Sequence, residues 1–90
     1  MKHMAYVYIL ANISRNKYYI GCTTNIHKRL QRHNSGYVQS TKRMLPIELA
    51  FKQHYQTMSE ARIVERKLKS LKRKDFIKKI IESGEIKLNS

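Results

Sequence analysis

Ala5-Tyr6-Val7-Tyr8-Ile9-Leu10-Ala11 and, after a short polar run, Lys17-Tyr18-Tyr19-Ile20-Gly21-Cys22 decide how this chain folds. Both stretches are dense in aromatic and β-branched residues, whose side chains pack well on a pleated surface, so each reads as a strand. The connection, residues 12–16, is polar and turn-like despite Ile13. Two strands joined so closely form an antiparallel hairpin. Residues two apart share a face of a strand. Tyr6 and Tyr8 therefore lie on one face of the first strand, and Lys17, Tyr19 and Gly21 on one face of the second. A register that brings these faces together sets Tyr8 near Tyr19 beside Gly21, where the missing side chain would let a ligand approach the sheet. Each tyrosine alone is better explained by packing against a core.

Outward from the hairpin, Thr23, Thr24 and Asn25 offer capping side chains, and Ile26, Leu30 and His33 follow at helical spacing. The pattern predicts a helix over residues 25–34, ended by Ser35-Gly36. Residues 36–46 are polar and basic without a clear period and read as a loop. Ile47, Leu49 and Phe51 alternate with Glu48, Ala50 and Lys52, which suggests a third strand. Thr57-Met58-Ser59-Glu60 fits a capping box, in which Thr57 bonds the Glu60 amide and Glu60 reaches back. Ala61, Val64, Leu68 and Leu71 then mark one face of a helix, and Phe76, Ile77, Ile80 and Ile81 mark another that closes at Ser83-Gly84. A break is expected near residues 72–74, and a loose tail over 85–90. The order ββαβαα predicts an α+β fold: a three-stranded antiparallel sheet flanked by helices.

Ninety residues suffice for one domain, with its core over about residues 5–82, because two cores could not each bury enough apolar surface. An apolar fraction of 41% excludes a disordered tail, and the lack of a long apolar run excludes a membrane-spanning helix. The basic start, Met1-Lys2-His3-Met4, has neither the apolar run nor the cleavage site of a signal peptide, so a cytoplasmic protein is expected. The single cysteine, Cys22, can form neither an internal disulfide nor a cysteine zinc site, and reads as a small buried hydrophobe. Charge is the strongest compositional signal. Nineteen Lys and Arg against six Asp and Glu leave a net charge of +13. A polyanion is the natural partner, nucleic acid first and an anionic membrane surface second.

Three further residues carry possible chemistry. Arg29 and His33 lie four apart on the first helix, one turn above each other, at the border of the Ile26/Leu30 stripe that must face the core. They should emerge near the sheet, whereas Lys28 and Arg32 point into solvent. An arginine suits a phosphate because its planar fork donates two hydrogen bonds and stays charged, and a histidine can donate to a phosphoryl oxygen or move a proton. A basic helix face ending in a histidine explains the same pair. Glu65 borders the stripe of its own helix among Arg62, Arg66, Lys67 and Lys69. A carboxylate there could hold Mg²⁺ with water completing the shell, or simply form an ion pair with Lys69 one turn away.

Taken together, Tyr6-Val7-Tyr8, Tyr19-Ile20-Gly21, Arg29, His33 and Glu65 resemble the GIY-YIG nuclease superfamily. Tyr19-Ile20-Gly21 matches the second motif. Tyr6 stands where the first motif has glycine. Arg29 falls where the family keeps its catalytic arginine, His33 where it has a histidine or tyrosine, and the segment around Glu65 looks like its metal-binding helix. Residues 32–36 look especially like the small stand-alone bacterial members, whose catalytic part is similar to that of excision-repair endonucleases. The resemblance covers roughly residues 5–81 in order and spacing.

The resemblance implies a nuclease that hydrolyses phosphodiester bonds, DNA being the expected substrate and endonucleolytic repair the expected context. One divalent cation, Mg²⁺ or Mn²⁺, would bind at Glu65. Tyr19 would lead in activating water, with Tyr8 orienting it or sharing that role, and Arg29 and His33 would stabilise the phosphate. Products would carry a 5′-phosphate and a 3′-hydroxyl. No separate recognition domain is expected, so Lys69, Lys72, Arg73, Lys74, Lys78 and Lys79 are the candidates for backbone contacts. The competing reading is a catalytically silent, basic nucleic-acid-binding module, which the charge supports equally.

Overall fold

The computed structural model describes residues 4–86. The basic start at residues 1–3 and the end of the expected tail, 87–90, lie outside the described residues. Three strands, β1 (Ala5–Asn12), β2 (Tyr18–Thr23) and β3 (Ile47–Tyr55), form an antiparallel sheet in the order β2-β1-β3. Three α-helices join them: α1 (Ile26–Asn34), α2 (Met58–Leu71) and α3 (Lys74–Ser83). The expected α+β class and the order ββαβαα hold.

β1 is the central strand and is buried on both faces, which its near-continuous apolar sequence requires. Val7 and Ile9 face a core built with Cys22, Phe51, Ala61, Leu68, Ile77 and Ile80, so α2 and α3 cover that side. Tyr8 and Leu10 face the other way, into a smaller core with Met44, Ile47, Tyr19, Ile26 and Leu30, which α1 covers. A bulge between Ile9 and Leu10 shifts the pairing with β3.

Local signals set the helix ends. The Asn25 side chain accepts from the Lys28 amide at 3.0 Å and starts α1, and Gly36 beyond its end takes φ +84°. Both halves of the Thr57/Glu60 capping box are formed at the start of α2. Such a cap stabilises a helix by about 1 kcal/mol. α2 and α3 part at Lys72, whose φ of +50° is left-handed, a conformation that ends a helix and turns the chain.

Three expectations change. The stretch read as an unbroken loop contains a short 3-10 helix, Lys42–Met44, held by the Thr41 carbonyl, which accepts from the Met44 amide. β3 runs on to Tyr55, past the point where apolar alternation ends. The tail is not loose at its start: Ile86 is buried against α3, and its amide donates to Gln53 Oε1 at 2.8 Å.

Candidate active site

The hairpin register sets Tyr8 directly opposite Gly21. A Cβ placed on Gly21 would lie 2.5 Å from the Tyr8 hydroxyl oxygen and 2.6 Å from its ring carbon Cζ. Gly21 therefore does make room, but the room is filled by the Tyr8 phenol and is not open to a ligand, which corrects the sequence expectation. Tyr8 is 1% exposed, and its hydroxyl lies 3.1 Å from Nε2 of His33, itself fully buried. The Tyr19 ring packs on the same histidine, centroids 5.0 Å apart, and lies 6.4 Å from the Tyr8 ring. The three rings form one cluster between β1, β2 and α1.

Arg29, one turn before His33, is half-buried and acts on the Tyr8 hydroxyl as a positive charge and hydrogen-bond donor. Arg32 is exposed. Burial pushes the Tyr8 phenol up to about 12, because the charged form is poorly solvated there; Arg29 opposes that rise without cancelling it. Burial, reinforced by the charges of Arg29 and Arg32, lowers His33 from the ordinary imidazole value, so the ring is neutral at pH 7.

Glu65, on α2, meets β2 at Cys22 and is linked to the ring cluster through Lys69. Its Oε1 accepts from the Cys22 thiol at 3.2 Å, and its Oε2 pairs with the Lys69 ammonium at 3.1 Å. Lys69 Nζ in turn sits 5.7 Å from the Tyr19 ring centroid, and the Glu65 charge contributes to the raised value of Tyr8. The ion pair weighed from sequence is thus formed, and Cys22 is buried as expected. Its thiol is pushed up to about 11 by burial and by the bond to Glu65, so it stays protonated and donates.

The donor set suits a hard cation. Glu65 offers oxygen ligands, its side chain is 20% exposed, and one oxygen already accepts a cationic ammonium. Lys69 is half exposed, and a surface pair of this kind is worth only a few tenths of a kcal/mol, so it yields easily. Among the described residues no three His, Cys, Asp or Glu gather. A cation held at Glu65 would therefore need water and a ligand phosphate to complete its shell.

The six basic candidates separate. Lys69, Lys72, Arg73 and Lys74 line a groove of about 360 Å³ beside Tyr19, floored by Tyr18, Ile20, Leu68 and Ile77 along the free edge of β2. Arg73 is already paired with Asp75 at 2.7 Å. Lys78 and Lys79 lie outside this groove, next to Ile81 and Phe76 respectively. One member of the cluster is missing from the sequence reading: Thr41, fully buried, with Oγ1 2.8 Å from Nδ1 of His33. Only the need of a buried histidine for a second partner hints at it, and nothing in the loop sequence says which residue answers.

A two-tyrosine hairpin backed by an Arg/His helix, with a carboxylate at its edge, is the layout of a GIY-YIG domain. Residues 4–80 match the family model described as the GIY-YIG catalytic domain, and the chain belongs to that family, a family of nucleases. It is 40% identical over 74 residues to a UPF0213 protein of Streptococcus pneumoniae serotype 4, covering 81% of this chain and 74% of that one. A UPF0213 protein of Staphylococcus haemolyticus is 35% identical over 78 residues, 86% of this chain and 94% of that one. The UPF0213 protein YazA of Bacillus subtilis is 40% identical over 60 residues, 66% of this chain and 61% of that one. These names state no activity. No solved structure matches the chain significantly. Among the described residues, no helix is long and apolar enough to cross a membrane.

Proposed function

We propose that the chain is a metal-dependent nuclease that hydrolyses phosphodiester bonds, with DNA as its substrate and a 5′-phosphate and 3′-hydroxyl as its products. One observation carries this reading most: Arg29, His33, Tyr8 and Tyr19 converge although they come from α1 and two different strands. A merely basic binding surface has no use for a buried tyrosine–histidine pair in contact with an arginine.

Arg29 is the charge that meets the scissile phosphate, because its guanidinium keeps a full positive charge and forks to two oxygens. Tyr19, less buried than Tyr8, is the leading group to activate the attacking water. Tyr8, its phenol enclosed and held against His33, shares the task from behind by fixing Arg29 beside it. His33, neutral and buried, fixes the Tyr8 hydroxyl and supports the same phosphate through the cluster. Glu65 would hold one divalent cation, Mg²⁺ or Mn²⁺, after Lys69 swings away. When bound, that ion stabilises charge on the phosphate and the leaving oxygen. Lys69, Lys72 and Lys74, which line the groove along β2, supply contacts to the nucleic-acid backbone.

Cleavage of end-labelled single-stranded, duplex and branched DNA and RNA, with Mg²⁺, Mn²⁺ or EDTA, tests the proposal. Metal-dependent products whose 5′ ends are phosphatase-sensitive are expected. Retention of the labelled substrates with no cleavage under any metal would favour the silent binding module.

A further inference from the structure

The Tyr8 hydroxyl is enclosed, so its hydrogen must be given to a neighbour that can accept it. Arg29 cannot, because a guanidinium has donors and no acceptor. His33 Nε2, 3.1 Å away, is the acceptor that remains. It accepts only if it carries no proton. A neutral imidazole then carries its hydrogen on Nδ1, where Thr41 Oγ1 stands at 2.8 Å to receive it. The Thr41 hydrogen is left for the Val38 carbonyl, which lies at 3.4 Å and can only accept. Tyr8, His33 and Thr41 are 1%, 0% and 0% exposed, so solvent offers none of them an alternative, and no buried side-chain polar atom among the described residues lacks a partner.

We propose that Thr41 is a positioning residue that fixes the His33 tautomer with its proton on Nδ1, and thereby the direction of the Tyr8 hydroxyl. The hydrogen of Tyr8 points inward to Nε2, and its oxygen lone pairs point outward towards Arg29 and the site. Tyr8 therefore presents an acceptor, not a donor, to the Arg29 guanidinium beside it. The opposite tautomer would turn the Tyr8 hydrogen towards Arg29, which has no acceptor for it, and so disturb the guanidinium that serves the site. Thr41 sits after a turn whose Val38 carbonyl accepts the Thr41 and Lys42 amides, so the backbone holds its hydroxyl in place. The consequence for cleavage rests on the nuclease function proposed above; the tautomer does not.

Long-range ¹H–¹⁵N NMR of the imidazoles at pH 7, in the parent, Thr41→Val and Thr41→Ser proteins, tests this, with cleavage measured alongside. The parent should show a neutral His33 protonated at Nδ1 and bare at Nε2. Thr41→Val keeps the side-chain shape but removes the acceptor. It should bring up the Nε2-protonated form and cost up to about tenfold in cleavage, the scale of one buried hydrogen bond. Thr41→Ser should restore both. A parent His33 protonated at Nε2, or a Thr41→Val protein with the parent's tautomer and cleavage, overturns the proposal. If Thr41→Val does not fold, the parent spectrum and Thr41→Ser decide it. A parent that shows the expected tautomer but cuts nothing would instead count against the nuclease function.

Discussion

Replacing Gly21 by alanine should damage the site without touching any polar group. The backbone at Gly21 is ordinary strand, so alanine is locally comfortable and regains roughly 0.5–1 kcal/mol of strand stability over glycine. Against this, the new methyl would lie 2.5 Å from the Tyr8 oxygen and 2.6 Å from its Cζ. Tyr8 has nowhere to go: it is 1% exposed and hydrogen-bonded to a fully buried His33. Overpacking of a filled core costs about 1–3 kcal/mol, and a displaced phenol forfeits its hydrogen bond, about 1 kcal/mol more. The net loss is about 1–3 kcal/mol, which for a chain of this size lowers the midpoint by roughly 4–8 °C per kcal/mol. Thermal unfolding followed by circular dichroism reads it directly. Tyr8→Phe should not rescue the variant, since Cζ keeps its clash. A Gly21→Ala protein that melts at or above the parent's temperature and keeps its activity would mean that Tyr8 does not occupy the space over Gly21.

Arg29→Ala should lower cleavage by about two orders of magnitude, the scale of a lost electrostatic stabiliser, while Arg32→Ala on the exposed face should cost far less; equal losses in initial rates would show bulk charge and no site. Lys72→Ala/Lys74→Ala should weaken nucleic-acid binding and flatten its salt dependence by about two counterions, and Lys78→Ala/Lys79→Ala should do so less, as read by fluorescence anisotropy across a salt series. Because burial lowers His33 below 6.5, its ordinary value, the unfolded chain binds that proton more readily. Stability should therefore be complete above pH 6.5 and fall as pH drops below it. A His33→Gln variant should lose that acid dependence in urea titrations, and a parent whose stability rises on acidification would contradict the burial.

The hairpin was legible because aromatic and β-branched residues crowd both strands and a short polar run joins them. The capping box at Thr57 and Glu60 was legible because it is local, set by residues three apart. The placement of Arg29 and His33 on the buried side of α1, with Arg32 outside, follows from helical spacing alone. What failed to show was tertiary. Thr41 meets His33 through a long-range hydrogen bond from an aperiodic loop, so no local pattern announces it. Gly21 looked like an opening because sequence shows a missing side chain and not the Tyr8 ring that fills the gap. β3 looked too short because its later residues are polar, yet Gln53 belongs there: its amide oxygen takes the Ile86 amide and draws the tail onto the sheet.

Glu65→Gln is nearly isosteric, keeps an oxygen for the Cys22 thiol, and removes the one carboxylate at this site. Parent and variant proteins are compared by circular dichroism, by anisotropy on a labelled oligonucleotide, and by cleavage of the same oligonucleotide with Mg²⁺ or Mn²⁺. The variant should fold, bind at least as tightly because a negative charge is gone, and cut nothing in either metal. A Glu65→Gln protein that cuts at the parent rate in Mg²⁺ would place the cation elsewhere and contradict the mechanism.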